Sequence, residues 1–206
     1  MRFSLLVMGL VFGHLVLAGD TGKLIYSKTF PGSTPPFVQI EIDRSGDTLY
    51  KEDPKDEDPV KFQLSAAEVE QVFHLADALG HFDQPLETKL KVANMGMKTI
   101  RYEDSTGVRE TKFNYSENPD AQALADWFER VAETERAWIE LERTVRFDKL
   151  GAQDAILRIE VIRDQKRLVG QTQFLPLLDR VSKNESFLHI ARDRAGALAD
   201  SIRAQK

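Results

Sequence analysis

The stretch from Asn118 to Phe147 constrains this chain more than any other. Asn118-Pro119-Asp120 supplies in order an N-cap, a proline suited to the first helical position and a first-turn acid. Behind it Trp127, Val131, Thr134, Trp138, Leu141 and Val145 recur every three or four residues, which draws a single apolar stripe along a helix. A helix running to Phe147 would be roughly 43 Å long at 1.5 Å per residue. Three heptads with Thr134 in the seam make a poor independent coiled coil. The stripe is therefore expected to pack on a sheet with its first half and on later helices with its second.

The chain before that helix reads as strands. Leu24-Ile25-Tyr26 is a short strand within a lead-in, and Pro31 to Pro36 a rigid proline-rich linker. Val38, Ile40 and Ile42 alternate with Gln39, Glu41 and Asp43, the period of a half-buried strand. Asp43 to Asp47 is turn chemistry around Gly46, and Thr48-Leu49-Tyr50 returns beside it. Val60, Phe62 and Leu64 alternate again. Ser65-Ala66-Ala67-Glu68 is a capping box, followed by a stripe of Val69, Val72, Phe73, Ala76 and Leu79 that Gly80 ends. Lys98–Tyr102 and Val108–Tyr115 form a second hairpin across Asp104-Ser105-Thr106-Gly107.

Beyond the long helix, residues 152–165 match a helix through Ala155, Ile156, Ile159 and Ile162, or a strand through Leu157, Ile159 and Val161. Helix is chosen because no hairpin partner is evident. Thr172 is expected to cap a short helix with Leu175, Leu178 and Val181 inward. Asn184 is expected to cap a last one carrying Leu188, Ala191, Ala195, Leu198 and Ile202. The fold class is thus α+β: two hairpins and helices in the order β-β-(β)-α-β-β-α, then a helical layer. The divisions are 1–18, 19–36 as lead-in and linker, 37–147 as an α+β domain, and 148–206 as a helical region.

Residues 1–18, MRFSLLVMGLVFGHLVLA, place Arg2 before an apolar run, with Val16 and Ala18 small enough for a cleavage site. This reads as a Sec-type signal peptide, so the mature chain is expected in the periplasm or outside the cell. No second apolar run is long enough for a membrane span. The chain of 206 residues has no cysteine, which removes disulfides, thiolate metal sites and cysteine nucleophiles. Its net charge of −5 argues against a general nucleic-acid binder. Residues 36–118 hold 17 acidic and 10 basic side chains while 119–206 hold 15 of each, so composition shifts where the long helix begins.

Pro36, Ile42, Gly46 and Tyr50 stand at the separations of a proline, strand, turn and tyrosine motif. With the element order over about residues 36–140, they make the chain resemble a family of bacterial exported α+β domains of unknown function. In that family a cysteine, a first-strand tyrosine and a turn aspartate are common where this chain has Pro35, Val38 and Ser45. The resemblance implies a small α+β domain of the cell envelope. It implies no activity and transfers no functional residue.

The sequence marks out no catalytic, cofactor-binding or metal-ligating residue, and no cofactor. His74, Asp77 and His81 have i, i+3, i+7 spacing, but Gly80 is expected to end the helix before His81. Glu52, Asp53, Asp56, Glu57 and Asp58 supply oxygen enough for calcium without the EF-hand pattern, so a solvated loop is expected. GxSxG, SxxK, HExxH, GxGxxG and P-loop motifs are absent from the sequence. Arg158, Arg163, Lys166 and Arg167 alternate with Glu160 and Asp164 as a mixed helical surface. Asn114-Tyr115-Ser116 and Asn184-Glu185-Ser186 match glycosylation sequons. Trp127 and Trp138 are expected in the core. Two readings follow: a non-catalytic binding module for an unknown envelope or extracellular protein, or an envelope hydrolase using carboxylates in a cleft between the two parts.

Overall fold

A computed structural model describes residues 22–204, so the expected signal segment 1–18 lies outside the described residues. Six strands form one antiparallel sheet: β1 (Lys23–Thr29), β2 (Phe37–Asp43), β3 (Asp47–Lys51), β4 (Val60–Gln63), β5 (Met97–Asp104) and β6 (Gly107–Phe113), in the spatial order β4-β3-β2-β1-β5-β6. The α-helices are α1 (Ala66–Ala78), α2 (Pro119–Phe147), α3 (Ala152–Asp164), α4 (Leu175–Lys183) and α5 (His189–Arg203). The α+β class is as read from the sequence, with strands first and helices last.

The strand at 24–26 is longer and more important than its three apolar residues suggest. It spans seven residues and pairs with β2 on one side and β5 on the other. β1 therefore joins the two expected hairpins into one sheet. Pro31 to Pro36 is the hairpin loop from β1 to β2 rather than a linker, closed by Phe30 N–H donating to the Pro36 carbonyl at 2.9 Å.

Alternation along every strand gives the sheet two unlike faces. Leu24, Tyr26, Ile40, Ile42, Tyr50, Phe62, Ile100, Tyr102 and Phe113 are buried under α1 and the first half of α2. The other face carries Lys23, Gln39, Glu41, Thr99, Arg101 and Glu103, with ion pairs Lys23–Glu41 and Arg101–Glu110. An antiparallel sheet tolerates one solvated face in this way. Gly46 fastens the β2–β3 turn to the start of α1. Its φ is +89°, and a Cβ there would meet the Leu64 carbonyl oxygen at 2.8 Å, so only glycine fits without displacement.

α2 belongs to two cores. Leu124, Trp127, Phe128 and Val131 lie in the sheet core, while Ala137, Leu141 and Val145 lie in a second core with α3, α4 and α5. Residues 152–165 are helical, burying Ala155, Ile156, Ile159 and Ile162. Two expected caps are corrected. Thr172 sits inside a 3-10 turn, and α4 begins after Phe174 without a side-chain cap. Asn184 ends α4 and turns its Oδ1 to the Ser186 N–H at 3.0 Å, so α5 starts only at His189. The delay puts Phe187 in the core and leaves Leu188 43% exposed, although the stripe had placed Leu188 inward.

Residues 167–173 strap the two cores together. Arg167 pairs with Asp126 at 3.0 Å and Glu133 at 2.8 Å. Val169 is buried in the sheet core, and its N–H donates to Thr134 Oγ1 at 3.2 Å. The Gly170 N–H donates at 2.8 Å to Glu68, the same carboxylate that completes the capping box of α1.

Candidate functional site

A concave feature runs beside α2, where the proline-rich loop folds back against the helix. Its enclosed end is a pocket of about 160 Å³ between Tyr26, Phe30, Pro35, Val38 and Ala132. Lys28 and Glu129 stand at its side, joined at 2.8 Å. Arg136 separates it from an open stretch of about 280 Å³ along Ile139, Glu140 and Arg143, walled opposite by Thr34, Pro35 and Glu52. Helix periodicity explains the arrangement: Ala132, Arg136, Ile139 and Arg143 are spaced 4, 3 and 4, so they share one face.

The acids of the groove are already engaged. Glu129 pairs with Lys28, Glu140 with Arg158 at 3.2 Å, and Glu52 accepts from Tyr50 Oη at 2.7 Å. Arg136 donates only to carbonyls, that of Ala132 at 3.3 Å and that of Thr34 at 3.4 Å. Among the described residues neither Arg136 nor Arg143 has a carboxylate within 4.0 Å. The groove thus presents two guanidinium groups without a carboxylate partner, opposite Glu52, which has a hydroxyl donor but no cation, beside a pocket that is apolar on the Phe30, Pro35, Val38 and Ala132 side. The Tyr26 hydroxyl is buried without a hydrogen-bond partner, its ring stacked on Phe128 at 4.5 Å. Burial, then the nearby Glu129 carboxylate, pushes its pKa well above that of an ordinary tyrosine, so it stays a neutral donor at any physiological pH.

The histidines and, Glu52 apart, the acidic loop lie elsewhere. His81 follows Gly80 in a left-handed turn, and its ring comes back to Asp77, with Nε2 2.7 Å from Oδ1, while stacking on Tyr102 at 4.0 Å. His74 is exposed. Among the described residues no three His, Asp or Glu side chains converge to hold a metal ion. In the acidic loop Asp53 and Asp56 accept from the N–H groups of Lys55 and Asp58, at 2.8 and 3.0 Å. These carboxylates fold their own turns. Millimolar calcium should accordingly leave the melting temperature of the protein nearly unchanged, since a ligand specific to the folded state raises it by mass action. A rise of several degrees abolished by Asp56→Asn would contradict this. Asn114 accepts from the Met95 N–H and donates to the Ala93 carbonyl, so its amide holds a loop.

Carboxylates between the two parts serve as tethers. Glu135 is fully buried there, accepting from Gln173 Nε2 at 2.7 Å, and burial pushes its pKa up to about 8. Arg136 and Arg143 were not singled out from sequence. Their i, i+7 spacing was visible, but nothing local showed that the proline-rich loop would wall them. No helix among the described residues is long and apolar enough to cross a membrane. No family model, curated protein or solved structure matches the chain.

Proposed function

We propose that the chain is an exported, non-catalytic binding module of the cell envelope, and that the groove along α2 is its ligand site. The observation that carries this reading is the pair of arginines without carboxylate partners beside an apolar pocket. A few polar groups converging on an apolar hollow are the usual make-up of a recognition site. The hydrolase reading has weaker support, because Glu135, the carboxyl at the junction of the two parts, is sealed from solvent and hydrogen-bonded to Gln173. Export rests on the N-terminal sequence, which also agrees with the resemblance to exported α+β domains.

Both halves of the reading can be tested on one preparation. Protein recovered from the exported fraction should begin at Gly19 or Asp20. Immobilised mature protein should capture an envelope component that Thr34→Trp fails to capture, since Thr34 is exposed on the groove wall and a bulky ring there closes the entrance. Equal capture by Thr34→Trp, with an unchanged melting temperature, would remove the groove from consideration. Full-length chain embedded in the membrane would overturn the export reading.

A further inference from the structure

We infer that the groove takes an acidic peptide segment: an apolar side chain in the pocket, and carboxylates on Arg136 and Arg143. This rests on the groove being the ligand site. The pocket of about 160 Å³ has apolar walls from Phe30, Pro35, Val38 and Ala132, with Lys28 and Glu129 at its side. That volume suits one side chain of leucine or phenylalanine size, since an apolar cavity of roughly 150 Å³ accommodates a benzene ring. Next along the same helix face stands Arg136, then Ile139, then Arg143. Seven residues of helix separate the arginine Cα atoms by roughly 10 Å along the axis, a distance that about three residues of extended peptide cover.

The charge sets the class of ligand. Every acid lining the groove beside Arg136 and Arg143 already has a cation or a hydroxyl donor, whereas the two guanidiniums have only carbonyls or solvent. Guanidinium binds a carboxylate through paired parallel hydrogen bonds, which orients the ligand as well as attracting it. The apolar pocket distinguishes a peptide from an acidic polysaccharide: a uronic acid chain has carboxylates at comparable spacing but no apolar side chain to seat.

The test is fluorescence anisotropy on the intact mature protein with capped, labelled octapeptides. One carries a leucine followed by glutamates, one replaces the glutamates by lysine, one replaces the leucine by glycine; an oligogalacturonate is the fourth probe. The leucine–glutamate peptide should bind at least tenfold more tightly than the others, and more weakly as salt rises. Arg136→Gln and Arg143→Gln should each lower its affinity about three- to tenfold, and the double variant more, with unchanged melting temperatures. Equal binding of the lysine peptide, tighter binding of the oligogalacturonate, or indifference to both arginine substitutions would overturn the inference. If any of these occurs while Thr34→Trp still abolishes capture of the envelope component, the groove remains the site and only the peptide class falls. If capture survives Thr34→Trp, the groove itself is excluded.

Discussion

Trp127→Ala should lower the unfolding free energy by about 3–5 kcal/mol, the usual cost of deleting a large aromatic side chain from a packed core. The indole is 1% exposed and stands edge-on to the Phe128 ring at 5.4 Å between centroids. Its cluster includes Val131 and the inward residues of the sheet. A loss of that size is a large fraction of the roughly 5–15 kcal/mol that holds a domain together. Trp138 sits three turns further on, only half-buried against the second core, so Trp138→Ala should cost less, about 1–3 kcal/mol. Hydrogen exchange separates the two effects. Trp127→Ala should release protection first in β1, β2 and β5, and Trp138→Ala first in α3, α4 and α5. If Trp127→Ala left exchange in the sheet unchanged, the assignment of that indole to the sheet core would fail.

Stability should also fall as pH rises from about 5 to 8, because of Glu135. In the unfolded chain its carboxyl titrates near 4.5; in the folded protein burial pushes it up to about 8. Between these values the folded state keeps a proton that the unfolded state releases, so each pH unit removes up to about 1.4 kcal/mol. The contribution is fully present below 4.5 and levels off at its minimum above 8. A neutral carboxyl also suits the surroundings. Oε2 of Glu135 and Oε1 of Gln173 are both buried acceptors without a partner, and a proton on the acid supplies a donor. Glu135→Gln is neutral at every pH. Denaturant titrations across pH 5–8 should show a declining wild-type stability and a flat variant, the variant ahead by on the order of 3–5 kcal/mol at pH 8. Asp179, held below the usual carboxylate range by its hydrogen bond to Arg203, acts only in acid and leaves this window clear. Parallel profiles for the two proteins would show that Glu135 is ionised in the fold.

The groove depends on contacts that sequence periodicity does not encode. Asn118, Ser65 and Gly80 announce helix ends because their chemistry is local: each satisfies or frees backbone groups within a few residues. Trp127 to Val145 announces a long two-sided helix because its period repeats over about five turns, and the structure divides that stripe between two cores as its position in the chain suggested. Asn184 and Thr172 misled because a good capping residue is equally good in a turn. Asn184 caps the turn to Ser186 and Thr172 lies within a 3-10 turn, choices that the local sequence leaves open.

What the sequence by itself determined is the α+β class, the two hairpins, the capped ends of α1 and α2, and the apolar stripe of each helix. These follow from side-chain periodicity and from hydrogen bonds that close within four residues. Only the tertiary structure decided that β1 would lie at the centre of one six-stranded sheet, since β1 pairs with β5 about seventy to eighty residues away. That pairing orients the loop from Pro31 to Pro36 against α2, and so turns two surface arginines into the wall of a groove. Tertiary structure also decided the burial of Glu135, which meets Gln173 of the strap at 167–173. Both features arise from chain segments distant in sequence, where packing against a shared core outweighs any local preference.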